Sequence, residues 1–224
     1  GTVGDIESLP FLEAIRQFRT QRRVGDVINI HVTLVPYIHT ADELKTKPSQ
    51  HSVAALRQIG IQPDILLCRS EKDLPSDIRR KLGLFCNIRE DCIFSARDLE
   101  SIYLMPLVFK AQGLDTKIAE LLNIWSQEPR LDEWERIAKI IANPKGKVDV
   151  CLVGKYVSLR ESYKSLIEAL NHGAFANELA LELHFIDSES LEGLDEQELT
   201  EHLRAHDAIL VPGGFGVRGV EGFI

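Results

Sequence analysis

Short apolar stretches alternating with amphipathic ones predict an α/β protein built from two doubly wound, mainly parallel sheets. Three observations carry this expectation. The apolar stretches are rich in Val, Ile and Leu and show little alternation with polar residues, as in strands covered on both faces. Between them lie segments whose apolar residues recur at helical spacing. The order of strand, helix and strand then repeats along the chain, which is the pattern of parallel crossover units.

Taken in order, a helix is expected over 10–19, with Ser8 as its candidate cap, followed by a strand over 27–36. The next helix, 48–59, begins with Pro48, suited to a first helical turn, and stops at Gly60, a natural residue just past a helix end. Strands over 64–69 and 92–95 complete the first group. The segment 126–146 departs from the pattern: it holds Glu128-Pro129, a charged helix around Trp134, and then Asn143-Pro144-Lys145-Gly146 as a break. A strand over 148–154 opens a new unit. It is followed by a helix over 160–176 with Tyr163, Leu166, Ile167 and Leu170 at helical spacing, a strand over 182–187, a helix over 196–205 and a strand over 207–212. The expected organisation is therefore two Rossmann-like domains, 1–125 and 147–224, joined by a linker over 126–146. The chain opens inside Gly1-Thr2-Val3-Gly4 and closes after a second glycine-rich segment, so both domains are expected to be incomplete.

Composition narrows the function classes. Apolar residues at 44% and charged residues at 27% fit a globular protein. A formal charge of −8 provides no global field for nucleic acid, so phosphate binding has to come from local basic spots. No apolar run approaches the roughly 20 residues of a membrane-spanning helix, and no N-terminal signal peptide is visible. A cytoplasmic location and no membrane or nucleic-acid partner are expected. The four cysteines, Cys68, Cys86, Cys92 and Cys151, form no C-x-x-C pair and read as buried free thiols.

Residues 44–51, Leu-Lys-Thr-Lys-Pro-Ser-Gln-His, are the most informative about chemistry. They place Lys45 and Lys47 on a loop between a buried strand and a helix. Ligands bind at the carboxyl ends of strands in such sheets, and a helix N-terminus adds unpaired N–H groups. Lys45, Lys47 and Gln50 thus have the chemistry to hold a polyanion; a solvated loop with two lysines is the alternative. Lys81, within Arg79-Arg80-Lys81, is either a third cation or part of a charged helix face. Asp5 and Glu7 share a side if their segment is extended. They could hold Mg²⁺ or accept hydrogen bonds from a base or ribose, or simply favour a helix entry. The glycines of 213–219 suit an oxyanion hole or anion nest, although a lone Gly-Gly-x-Gly is common in α/β loops. No G-x-x-x-x-G-K-[ST] loop, H-E-x-x-H or glycine-flanked Cys or Ser elbow is present, and the seven histidines are scattered. His172 reads as a helix-surface residue.

These segments, taken collinearly, resemble the CTP synthase family. The resemblance includes 1–8, 31–37, 43–53, 60–64, 101–103, 153–157, 163–170 and 209–222. It implies ATP-dependent amination of UTP to CTP. One domain phosphorylates the uracil O4 with ATP and Mg²⁺, and the other hydrolyses glutamine and passes ammonia to the activated base. By resemblance, Lys45, Thr46, Lys47, Pro48, Ser49, Gln50 and Lys81 match positions for UTP or CTP. Asp5, Ile6 and Glu7 match the segment contacting CTP as feedback inhibitor, and Arg97, Asp98 and Leu99 match one along the ATP adenine. Ser49 stands where threonine is common, which keeps the hydroxyl. Gly214 matches a glutamine-binding glycine, flanked by Gly213 and Phe215. Arg218, Gly219 and Glu221 match a loop tied to GTP activation. A homotetramer is implied.

The resemblance also implies that the phosphate loop and acidic Mg²⁺ ligands precede Gly1, and that the nucleophilic cysteine and its triad partners follow Ile224. No catalytic residue and no metal ligand is therefore assigned within this chain, which by itself is expected to be inactive. A non-catalytic pyrimidine-nucleotide-binding or assembly module is the competing expectation, and an unrelated α/β nucleotide binder is a third.

Overall fold

A computed structural model describes residues 2–155, 157 and 159–213. The chain divides into two units, Gly1–Trp134 and Glu135–Ile224. The division lies inside the segment 126–146, within the charged helix expected around Trp134.

The first unit contains helix α1 (Leu9–Thr20), strand β1 (Ile30–Leu34) and a short hairpin of β2 (Tyr37–Ile38) and β3 (Glu43–Leu44). It continues with α2 (Lys47–Gln58), β4 (Ile65–Ser70), α3 (Ser76–Cys86) and β5 (Ile93–Arg97). Two further helices follow, α4 (Met105–Gln112) and α5 (Leu114–Leu121), before α6 (Asp132–Ala142). Strands β1, β4 and β5 form one parallel sheet in the order β1-β4-β5, with Ile30 opposite Ile65 and Leu66 opposite Ile93.

Burial explains why these strands form. Ile65 and Leu66 are consecutive and both fully enclosed, and residues 93–96 are buried without a break. A strand with successive side chains on opposite faces is buried in this way only when both faces are covered. Val53 of α2 and Leu82 of α3 supply part of that cover. Strand β1 differs from the expected doubly covered strand over 27–36. It is shorter, and Val32 and Leu34 are 57% and 54% exposed, so among the described residues its outer face is bare.

Helix ends follow local chemistry in some places and not in others. Gly60 takes φ +88°, the left-handed conformation expected after α2. Ser8 does not cap α1. It lies in helical conformation, and its hydroxyl donates 2.7 Å to the Asp5 carbonyl. A bidentate pair instead anchors α1: Arg19 donates to both carboxylate oxygens of Asp64 at 2.5 and 2.9 Å, and Asp64 also accepts from the Asn29 N–H at 2.7 Å. Helices α4 and α5, which hydrophobic spacing did not separate from loop, meet at Gly113 in left-handed conformation (φ +77°).

The second unit comprises β6 (Gly146–Gly154), α7 (Lys164–Ala176), β7 (Leu179–Asp187), α8 (Glu196–Arg204) and β8 (Ala208–Leu210). Its sheet is parallel in the order β7-β6-β8. The expected helix over 160–176 starts as a tight 3₁₀ turn over Arg160–Tyr163 before α7 begins. Cys151 and Val153 pack against Leu191, Leu199 and Leu203. A capping box, in which Asp195 accepts from the Glu198 N–H and Glu198 accepts from the Asp195 N–H, starts α8.

The four cysteines are buried and unpaired. Burial pushes the Cys68 thiol up to about 12 and raises those of Cys86, Cys92 and Cys151, so each is an inert, protonated core residue.

The Gln112 side chain closes the buried Ser95 peptide in the manner of a neighbouring strand. Its Oε1 accepts from the Ser95 N–H at 2.9 Å, and its Nε2 donates to the Ser95 carbonyl at 2.8 Å. Gln112→Leu leaves both groups unpaired and is expected to cost about 1–3 kcal/mol of stability. Urea unfolding of the variant checks this, and an unchanged midpoint contradicts it.

Candidate functional site

The parallel register brings the carboxyl ends of β1, β4 and β5 to one edge of the first sheet, where α/β proteins bind ligands. Backbone bonds continue the ladder past the strands: the Val35 N–H donates to the Arg69 carbonyl at 2.8 Å, and the Asp98 N–H to the Ser70 carbonyl at 2.9 Å.

From β1 the chain does not pass straight into α2. It makes the β2–β3 hairpin, with Tyr37 opposite Leu44, and the Lys45 N–H then donates to the Pro36 carbonyl at 2.9 Å. Lys45 sits on this return, whereas Lys47 is the first residue of α2, so the two lysines do not share a simple strand-to-helix loop. Lys45 pairs with Glu43, two residues earlier on the same arm of the hairpin, and Lys47 has no ion pair among the described residues. Pro48 is exposed in the first turn.

Ser49 and Thr46 face inward. The Ser49 hydroxyl is fully buried, donates 2.9 Å to the Leu34 carbonyl and accepts from Thr33 Oγ1 at 3.1 Å. It ties α2 to β1 and is not open to a ligand, which explains why a hydroxyl suits this position. Thr46 is buried and does not cap α2; its Oγ1 accepts from Gln50 Nε2 at 3.0 Å. Among the described residues no side chain caps the first N–H groups of α2. These donors and Lys47 remain the groups able to meet an anion.

At the end of β5, Arg97 lies 3.5 Å from Asp73, and Asp98 lies 3.5 Å from Arg69. Leu99 is half-buried beside them. Lys81 is exposed on α3, which packs on α2, and has no ion pair among the described residues. The exit of β4, Arg69 to Asp73, supplies residues that sequence reasoning missed. The available signal was a run of charged residues directly after a buried strand.

The Asp5–Glu7 segment is not extended. Ile6–Ser8 form a 3₁₀ turn, and the Asp5 carboxylate accepts from the Thr2 N–H at 2.8 Å, so the two carboxylates do not share a strand side. Asp5, Ile6 and Glu7 are all exposed, and no hydrogen bond or ion pair among the described residues joins them to Lys45, Lys47 or Lys81.

In the second unit, the last residue of β6 is glycine: a Cβ on Gly154 would lie 2.5 Å from the Tyr163 hydroxyl, which itself accepts from the Lys155 N–H at 3.1 Å. Gly213 is exposed, and a Cβ there would meet nothing among the described residues. Gly214, Phe215, Arg218, Gly219 and Glu221 lie outside the described residues. The histidines are not all scattered in space: the rings of His184 and His206 are 4.7 Å apart. Donor atoms of Asp149, Glu182 and His184 lie within 4.8 Å of one another. Lys147 Nζ already stands 2.8 Å from Glu182 and 3.5 Å from Asp149, so an ammonium supplies the counter-charge a metal ion would bring.

A family model described as CTP synthase N-terminus matches residues 1–124. The CTP synthase of Geobacter metallireducens is 57% identical over 225 residues, covering all of this chain and 41% of that protein. Those of Syntrophus aciditrophicus and Desulfovibrio desulfuricans are 55% and 53% identical, with 41% and 40% of their lengths covered. The chain thus spans about two-fifths of the length of the curated relatives it matches. With more than half of its residues matched by the family model, and with relatives of one name aligned along its whole length, the chain belongs to the CTP synthase family.

Proposed function

We propose that the intact protein containing this chain is an ATP-dependent, glutamine-hydrolysing ligase that converts UTP to CTP. The observation that carries this reading is the placement of Lys47 and the uncapped start of α2 at the same sheet edge as Lys45 and the Arg97–Leu99 exit. The name shared by its relatives adds the reaction. In this reading Lys45 and Lys47 neutralise the triphosphate, with Lys81 as a further cation. Arg97, Asp98 and Leu99 lie along the adenine of ATP, and Asp5, Ile6 and Glu7 contact inhibitory CTP. Ser49 and Thr46 hold the loop in place.

Phosphorylating the uracil O4 converts an oxygen that leaves poorly into a phosphate that leaves well. Ammonia then attacks C4, phosphate departs, and the amine of CTP remains. The residues of this chain bind and orient the nucleotide for that exchange. At this edge the Asp73 and Asp98 carboxylates are each paired with an arginine. Magnesium and ATP phosphate binding are assigned to other parts of the protein. The second unit opens the glutaminase domain, with Gly213–Phe215 beside the glutamine and Arg218, Gly219 and Glu221 serving activation by GTP. A homotetramer in the cytoplasm completes the proposal, and the buried free thiols suit that reducing compartment.

Lys47→Ala removes one charge-assisted phosphate contact, and in the intact protein the KM for UTP is expected to rise about 10- to 100-fold. Glutamine hydrolysis measured without UTP should stay within about twofold. Unchanged UTP saturation contradicts the assignment. Glu7→Ala is expected to raise the CTP concentration needed for half-inhibition more than it raises the KM for UTP, read from paired inhibition and saturation curves. Identical inhibition of variant and parent contradicts the assigned role.

A further inference from the structure

The β2–β3 hairpin is joined by only two residue pairs, Tyr37 with Leu44 and Ile38 with Glu43. A two-stranded ribbon of that size has little stability of its own. Yet it sets the position of Lys45, whose N–H closes the stem on Pro36 and whose ammonium pairs with Glu43. Something outside the hairpin must hold it against the sheet edge.

Side chains from the β4 exit do so. Lys72 Nζ stands 3.8 Å above the centroid of the Tyr37 ring and 3.4 Å from Asp42 Oδ1. The Tyr37 hydroxyl donates to the same Asp42 oxygen. Asp42 occupies the hairpin turn with φ +48°, a left-handed conformation that Asp tolerates better than most residues. One ammonium thus grips the stem through Tyr37 and the turn through Asp42. A second tether runs beside it: His39 packs edge-on against Tyr37 at 4.9 Å, and its Nε2 lies 3.0 Å from Glu71. The grip has a firm base, because the hydroxyl of buried Ser70, the last residue of β4, donates to the Lys72 carbonyl.

We infer that Lys72 is a positioning residue: by clamping Tyr37 and Asp42 to the end of β4, it fixes the hairpin that presents Lys45 to the nucleotide phosphates. The inference rests on the nucleotide site proposed above. In this inference Lys72 acts through the hairpin, its ammonium turned to the Tyr37 ring and the Asp42 carboxylate.

The test uses the intact protein. Lys72→Met keeps the apolar stem and removes the charge. It is expected to raise the KM for UTP about 3- to 10-fold, with kcat and UTP-independent glutamine hydrolysis within about twofold. Lys72→Arg should restore the parental KM, because a guanidinium both stacks on an aromatic ring and pairs with a carboxylate. Tyr37→Leu should shift the KM similarly, and the double variant should shift it no further than either single one. Full additivity of Lys72→Met with Tyr37→Leu would indicate separate actions and overturn the inference, as would a fall in kcat at constant KM or an unchanged KM. Lys47→Ala run in parallel separates the levels. If it leaves the KM for UTP unchanged, the nucleotide site itself is misplaced. If it raises the KM while Lys72→Met does not, only the clamp fails.

Discussion

Parallel pairing of β4 with both β1 and β5 is the constraint on which the first unit depends. Its register sets Leu34 opposite Arg69 and Ser70 opposite Arg97, so the three strands end at nearly one level. Each exit is then stitched to its neighbour by a backbone bond, Val35 to Arg69 and Asp98 to Ser70. A one-residue slip would turn the enclosed side chains of Ile65, Leu66 and Ile93 to their opposite faces. The same slip would separate the connections that carry the basic residues. Core packing and site geometry are therefore one specification: the apolar contacts fix the register, and the register fixes which polar residues meet.

Charge at that edge is arranged in two ways. Lys45, Arg69, Lys72 and Arg97 each face a carboxylate, namely Glu43, Asp98, Asp42 and Asp73. Lys47 and Lys81 have no such pair among the described residues. Exposed pairs of this kind contribute little to stability and exchange partners readily. They offset the mutual repulsion of a crowded set of cations. Under the proposed function, a phosphate chain would meet Lys47, Lys81 and the α2 N–H groups without displacing an ion pair, whereas engaging Lys45 would mean trading Glu43 for phosphate. This division separates residues that hold the edge together from those left to bind.

Much of this was legible in the residues. The alternation of strand and helix, the helix stop at Gly60 and the buried thiols all follow from local chemistry. Apolar runs report burial, and glycine reports left-handed backbone. Collinear motifs supplied the family. Less legible were α4, which is apolar on most sides, and α5, whose stripe of Leu114, Ile118 and Leu121 spans only eight residues. The hairpin was hidden because two residue pairs are too short to alternate visibly.

By itself, then, the amino-acid order determined the fold class, the alternation of the main strands and helices, and the family, since each depends on periodicity or on residues adjacent in the chain. Only the tertiary structure decided that Ser49 points into the core as an anchor, that Asp5 and Glu7 do not line one strand side, and that Gln112 completes the Ser95 backbone. It alone set Lys72 over Tyr37, 35 positions away, and His184 against His206. Such pairings depend on the direction of a side chain and on the register between distant segments, quantities that no local pattern encodes.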